Sequence, residues 1–91
     1  MRNYELVLLL DSAVSEPKKW QEKIKKWLGS GAEIKKAENW GRKKLAYPIK
    51  KKEEAIYLFY LLAADPLALK TLEAKLRLED KILRYLLIKN T

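Results

Sequence analysis

The chain contains no cysteine and no histidine. The first absence excludes disulfides and thiolate metal sites, and the second removes the commonest general base and metal ligand. No apolar run approaches the ~18 residues of a transmembrane helix. The amino terminus, MRNYELVLLLD, reaches an acidic residue without a small-residue cleavage site, so a cytosolic chain that keeps its first residues is expected. No glycine loop is spaced to cradle phosphate, and the carboxylates are mostly flanked by lysines rather than gathered as metal ligands. The expectation is a protein with no cofactor, no metal, no small-molecule substrate, no membrane partner and no catalytic residue.

What is present is an ordinary globular composition, 48% hydrophobic and 35% charged over 91 residues. A chain this short buries only about 60% of its unfolded surface and cannot divide that core, so residues 1–91 are read as one domain. The net charge of +8 is uneven: residues 1–30, 31–52 and 53–91 contribute +2, +6 and 0. A positive field concentrated in one quarter of the chain attracts polyanions, nucleic acid first among them.

Hydrophobic periodicity orders the chain. Residues 4–10 alternate Tyr4, Leu6, Leu8 and Leu10 against Glu5, Val7 and Leu9, a strand with one apolar and one mixed face. From Pro17 to Leu28 the apolar positions Trp20, Ile24, Trp27 and Leu28 form a helical stripe, capped at Ser15 or Glu16 and stopped by Gly29 and Gly31. Residues 32–52 are strand-like, with a bulge or bend expected at Gly41 and clean alternation at Leu45, Tyr47 and Ile49. After the KKKEE turn, AIYLFYLLA is apolar on both faces and reads as a central strand. Asp65 and Pro66 open a second helix with a Leu69, Leu72, Leu76 stripe, and residues 82–88 give a fourth strand.

The order βαββαβ predicts an α+β, ferredoxin-like sandwich: a four-stranded antiparallel sheet with both helices on one face. The other face is uncovered. Alternation assigns it Glu5, Val7 and Leu9, then Ile56, Leu58, Tyr60 and Leu62, then Arg84, Leu86 and Ile88, with Tyr57 and Phe59 turned to the helices. So apolar a face predicts a protein partner or an RNA platform.

Other functions of this topology fit less well. Acylphosphatase needs an anion-cradling loop with an arginine after the first strand, and LDSAVSEPKKW contains neither glycine nor arginine. A small-molecule regulatory domain uses a glycine at that same turn, which residues 11–14 lack. The lysine-rich tryptophan helix would suit a membrane surface, but a helix between two strands must cover their sheet. An RNA-recognition motif stacks bases on third-strand aromatics; the family's [K/R]-G-[F/Y] opening is missing, and Tyr60 alone is expected on the open side.

The segment WGRKKLAYPIKK closely resembles the signature of the bacterial small-subunit ribosomal protein number six family: a glycine, basic residues, then Leu-Ala-Tyr-Pro-Ile at the same spacing. MRNYELVLLL is similar to that family's first strand, YLFYLLA to its third, and LRLEDKILRYLLIK to its second helix running into its last strand. Departures are Lys44, where arginine or another polar residue is usual, the short KKKEE turn, and a sequence that stops at Thr91 without the tail many members carry. The resemblance implies a cytoplasmic, ribosome-associated structural protein. It would pair with small-subunit ribosomal protein number eighteen and bind the central domain of the small-subunit ribosomal RNA.

On this reading Arg42, Lys43 and Lys44, at the strand bend, are the first candidates for phosphate contacts, with Arg2 and Lys89 near adjacent strand ends as the second set. Arg42 can hold a phosphate bidentately. Tyr47, Leu58, Tyr60, Arg84 and Leu86 are the candidate contacts to the partner protein. Tyr47 alternatively caps the core beside Leu45 and Ile49. Trp40 is expected to pack against the bend, and Glu5 to pair with Arg84 across the open face.

Overall fold

The structure is a computed structural model that describes residues 2–90. Four strands, β1 (Arg2–Asp11), β2 (Ala32–Ile49), β3 (Lys52–Ala64) and β4 (Ile82–Asn90), form one antiparallel sheet in the order β2-β3-β1-β4. Helices α1 (Lys19–Leu28) and α2 (Pro66–Leu78) cover one face of it. This is the predicted ferredoxin-like arrangement.

Helix α2 starts where the sequence predicts, whereas the cap expected for α1 at Ser15 or Glu16 is not made: residues 17–18 form a turn and the helix starts after Lys18 with no side-chain cap. Pro66 takes the first turn of α2, where its missing N–H leaves no helical bond unmade, and Asp65 precedes it in an extended conformation. Helix α1 begins at Lys19, two residues after Pro17, and ends at Gly29, whose φ of 71° favours glycine. Trp20, Ile24 and Leu28 turn one stripe of α1 into the core, and Leu69, Leu72 and Leu76 do the same for α2. Trp27 packs edge-on against Trp20, with ring centroids 6.0 Å apart.

The sheet's contribution to the core is set by register. Tyr4, Leu6, Leu8 and Leu10 lie opposite Leu62, Tyr60, Leu58 and Ile56, so all eight share the helix-covered face and are buried. Completely buried leucines such as Leu6, Leu8 and Leu72 contribute about 1.5–3 kcal/mol each relative to exposure. No buried side-chain polar atom among the described residues lacks a partner.

Strand β2 is less regular than its neighbours. Its register against β3 shifts at three places, between Ile34 and Lys36, between Asn39 and Gly41, and between Lys44 and Ile49. At the second shift Trp40 is the extra residue, Gly41 takes φ 83°, and Asn39 Oδ1 accepts a 2.8 Å hydrogen bond from the Gly41 N–H. The expected bulge is therefore built from a left-handed glycine and an asparagine turn. Beyond Asp11, the last β1 residue paired with β3, residues 44–54 continue as a two-stranded arm.

Lys50 and Lys51 close that arm at φ 50° and 66°, the signature of a two-residue hairpin turn that normally selects Asn-Gly. Lysine in the left-handed region costs roughly 1–2 kcal/mol. The double substitution Lys50→Asn, Lys51→Gly should therefore stabilise the chain by about 1 kcal/mol, raising the thermal midpoint by ~4–8 °C. An unchanged or lower midpoint would show that this turn is unstrained. Deep in the core, Leu72→Ala should cost ~2–5 kcal/mol in a denaturant titration, and a loss below 1 kcal/mol would contradict the packing described.

Candidate protein and nucleic-acid interface

The face of the sheet away from the helices is apolar and uncovered. Val7 and Leu9 of β1 lie beside Phe59 and Tyr57 of β3 and beside Leu86 and Arg84 of β4. Leu61 and Ile88 flank Glu5 in the same way. Leu86 is 55% exposed, and Ile88 is exposed as well. The bulge at Gly41 throws Trp40 onto this same face. Its ring stacks on Phe59 at 5.2 Å and 7°, while its indole N–H donates to Glu38 Oε1 at 3.4 Å. Lys43 Nζ stands 5.7 Å from the Trp40 ring centroid and 5.5 Å from that of Tyr57. An aromatic cluster crowned by a cation thus occupies the β2–β3 side, and aliphatic residues the β1–β4 side.

Two expectations for this face are corrected. Leu58 and Tyr60, expected to touch the partner protein, are 3% and 2% exposed and lie beneath the helices, as do Ile56 and Leu62. Tyr57, Phe59 and Leu61 take the open side instead. Burial pushes the Tyr60 phenol well above its ordinary pKa. The physical reason is that β3 is apolar at every position from Ala55 to Ala64, so its periodicity carries no parity there, and the shifts in β2 defeat counting back from the turn. Glu5 and Arg84 also do not meet, because Glu5 pairs with Ile88 and Arg84 with Leu9, four residues further along β1. Val7, Leu86 and Arg84 are on the open face as expected.

The cations do not form one cluster. Arg42 donates a 3.0 Å hydrogen bond from its guanidinium to the Ser12 carbonyl, on the helix side, where it ties β2 to the β1–α1 loop. Lys43 points to the open side, and Lys44 pairs in register with Glu54 in the arm. Arg2 and Lys89 lie at the far end of the sheet, since Arg2 is opposite Ala64 and Lys89 opposite Tyr4. Nine residues of β1, roughly 30 Å, separate them from the arm. Tyr47 is 82% exposed in the arm, so it does not cap the core.

Asp11 sets the arm's base. Its carboxylate accepts the Ala13 N–H at 3.0 Å and faces Lys52 Nζ at 3.6 Å. Burial alone would raise its pKa, but the Ala13 hydrogen bond, with help from Lys52, holds it below the ordinary value.

Comparison with known proteins accords with this fold. A family model described as ribosomal protein S6 matches residues 3–89. The chain is 39% identical over 90 residues to the small ribosomal subunit protein bS6 of Parabacteroides distasonis, covering 94% of this chain and 75% of that one. It is 38% identical over 93 residues to the bS6 of Acidothermus cellulolyticus, covering 98% and 96%. The fold is similar to the crystal structure of 30S ribosomal protein S6 from Thermotoga maritima, with TM-score 0.86, 29% identity, and 98% and 87% of the two chains covered.

A carboxylate with a lowered folded-state pKa stabilises the fold above its unfolded pKa and loses that contribution as pH falls through the folded value. For Asp11 the window lies below about pH 4. The stability advantage of the native chain over Asp11→Asn should be full at pH 7 and shrink progressively below pH 4. An advantage that persists undiminished at pH 2 would show that the charge is irrelevant there.

Proposed function

Since the chain belongs to the ribosomal protein S6 family, we propose that it is a non-catalytic scaffold joining a partner protein to ribosomal RNA in the small subunit. The family places it in the cytoplasm, associated with the ribosome. The partner is small-subunit ribosomal protein number eighteen, and the nucleic acid is the central domain of the small-subunit ribosomal RNA.

The observation that carries this reading is the apolar sheet face with no helix over it. Leu86, Val7, Leu9 and Leu61 supply the apolar centre that a protein interface needs, with Arg84 and Tyr47 as polar contacts towards its rim. Aromatic residues on the same face favour RNA stacking as a second reading. Yet the rings are already engaged: Trp40 covers Phe59, and Lys43 stands over Trp40 and Tyr57. A protein contact fits that arrangement better. Phosphate contacts fall to Arg42, Lys43 and Lys44 around the base of the arm, with Arg2 and Lys89 as a separate set at the other end of the sheet.

A titration of the chain against the purified partner and the small-subunit RNA tests the scheme. Leu86→Glu should weaken heterodimer formation at least tenfold while shifting the thermal midpoint little, because Leu86 is exposed. Unaltered heterodimer affinity would place the interface elsewhere. Replacing Arg42, Lys43 and Lys44 with alanine should lower the salt slope of RNA binding by the complex, by about one unit for each phosphate no longer neutralised. An unchanged slope would show those charges to be bystanders, and tight RNA binding without the partner would favour the stacking platform.

A further inference from the structure

Helix α2 carries a second apolar stripe on the side away from the core. Leu69, Leu72 and Leu76 are buried, whereas Leu67 and Leu78 are 76% and 81% exposed. With Thr71 and Ala74, both exposed, these two leucines recur at i, i+4, i+7 and i+11, the spacing of residues that share one side of a helix. The Thr71 hydroxyl donates to the Leu67 carbonyl at 3.2 Å, so its proton is used within the helix. At 1.5 Å of rise per residue the two leucines stand roughly 16 Å apart along the axis, on either side of a saddle of smaller side chains.

Charge and shape give this stripe a preference. The helical period sets Lys70 along one margin and Lys75 along the other, each about 70° from the stripe's centre. Neither lysine has an ion-pair partner among the described residues. The neighbouring acids are engaged elsewhere or lie past the helix ends. Glu73, the one acid within α2, accepts from the Tyr85 hydroxyl of β4 at 3.2 Å and faces Arg77 at 3.5 Å. Glu79 pairs with Lys23 of α1 at 3.2 Å, and Asp65 and Asp80 fall outside the helix. Beside Leu67 lies a hollow of about 350 Å³, lined also by Tyr4, Pro66, Leu69, Lys70 and Glu73. The stripe's first leucine therefore adjoins a recess with room for a further side chain.

We propose that the outer face of α2 docks an amphipathic helix of another protein, whose leucines fill the saddle between Leu67 and Leu78 and whose flanking carboxylates meet Lys70 and Lys75. Helices pack by setting the side-chain ridge of one into the groove of the other, and an apolar row at i, i+4 and i+7 is the element such packing uses. Charge selects against a second copy of this chain. Two α2 helices packed antiparallel would set Leu67 against Leu78, but they would also bring together two pairs of lysines with no acid between them. Shape selects against a lipid surface. An interfacial helix lays a broad apolar face into the bilayer, whereas the broad apolar face of α2 is already in the core and its outer stripe is one residue wide. The stripe lies on the opposite side of the molecule from the open sheet face, so both surfaces can be occupied together and the inference stands independently of the ribosomal reading.

The test uses the isotope-labelled full chain and a capped three-heptad peptide with leucine at a and d, glutamate at e and g, and alanine and glutamine elsewhere, observed by amide chemical shifts. Binding should shift the amides of residues 67–78. The double variant Lys70→Glu, Lys75→Glu should bind this peptide at least fivefold more weakly and should prefer a peptide with lysine at e and g, a reversal that a general loss of structure would not produce. Because Leu67 and Leu78 are exposed, the double variant Leu67→Gln, Leu78→Gln should keep its thermal midpoint and lose binding at least tenfold. The inference is overturned if the peptide fails to bind, if shifts concentrate at Val7, Leu61 and Leu86, if the lysine peptide gains nothing from the charge reversal, or if the glutamine variant binds as the native chain does. Self-association of the free chain through α2, seen in sedimentation, would likewise overturn it, as would phosphatidylglycerol vesicles that shift residues 67–78 more strongly than the peptide.

Discussion

The pairing of β1 with β3 is the constraint on which the rest of the molecule depends. Setting Leu6 against Tyr60 and Leu8 against Leu58 commits both strands to one division of faces. A slip of one residue would carry Phe59 and Tyr57 under the helices and strand four buried side chains on the surface. With the division made, the stripes of α1 and α2 have a floor to pack against, and the opposite face is left apolar without cover. A small α+β sheet has enough helix for one face only, so what lies on the other face must be supplied from outside or left wet.

Strand β2 departs from this regularity, and its departures carry the features that bear on binding. The bulge at Gly41 places Trp40 on Phe59 and brings Lys43 over the aromatic cluster. Past the end of β1 the hairpin continues alone, carrying Tyr47 and lysines at its tip. Arg42 returns to the Ser12 carbonyl and Lys52 to Asp11, so the arm is anchored at its base by one hydrogen bond and one ion pair. Exposed pairs of this kind contribute little stability alone, and their value lies in fixing direction.

The architecture was legible because its signals are strong and local. Alternation in β1, the helical stripes ending at Leu28 and Leu76, the Asp65–Pro66 start and the Gly41 bend each name one element and appear where expected. The candidate interface was legible only in part. Val7, Leu9, Arg84 and Leu86 follow from strands with a polar side to anchor their parity, whereas β3 offers no such anchor and Leu58 and Tyr60 were placed on the wrong face. Trp40 could have been found by combining the expected bulge with its consequence, since one extra residue before Gly41 reverses the alternation on either side. The dispersal of Arg42, Lys43 and Lys44 follows from the same strand geometry: three consecutive residues cannot share a face.

Thiol labelling addresses the central claim most directly, because a chain without cysteine accepts single reporters on an empty background. Leu61→Cys and Leu86→Cys should react readily in the free chain and be protected once the partner protein is bound, while Leu58→Cys should be protected in both states. Rapid labelling at Leu58 in the folded chain would contradict the division of faces. Reactivity at Leu61 and Leu86 that the partner leaves unchanged would contradict the role given to the open sheet.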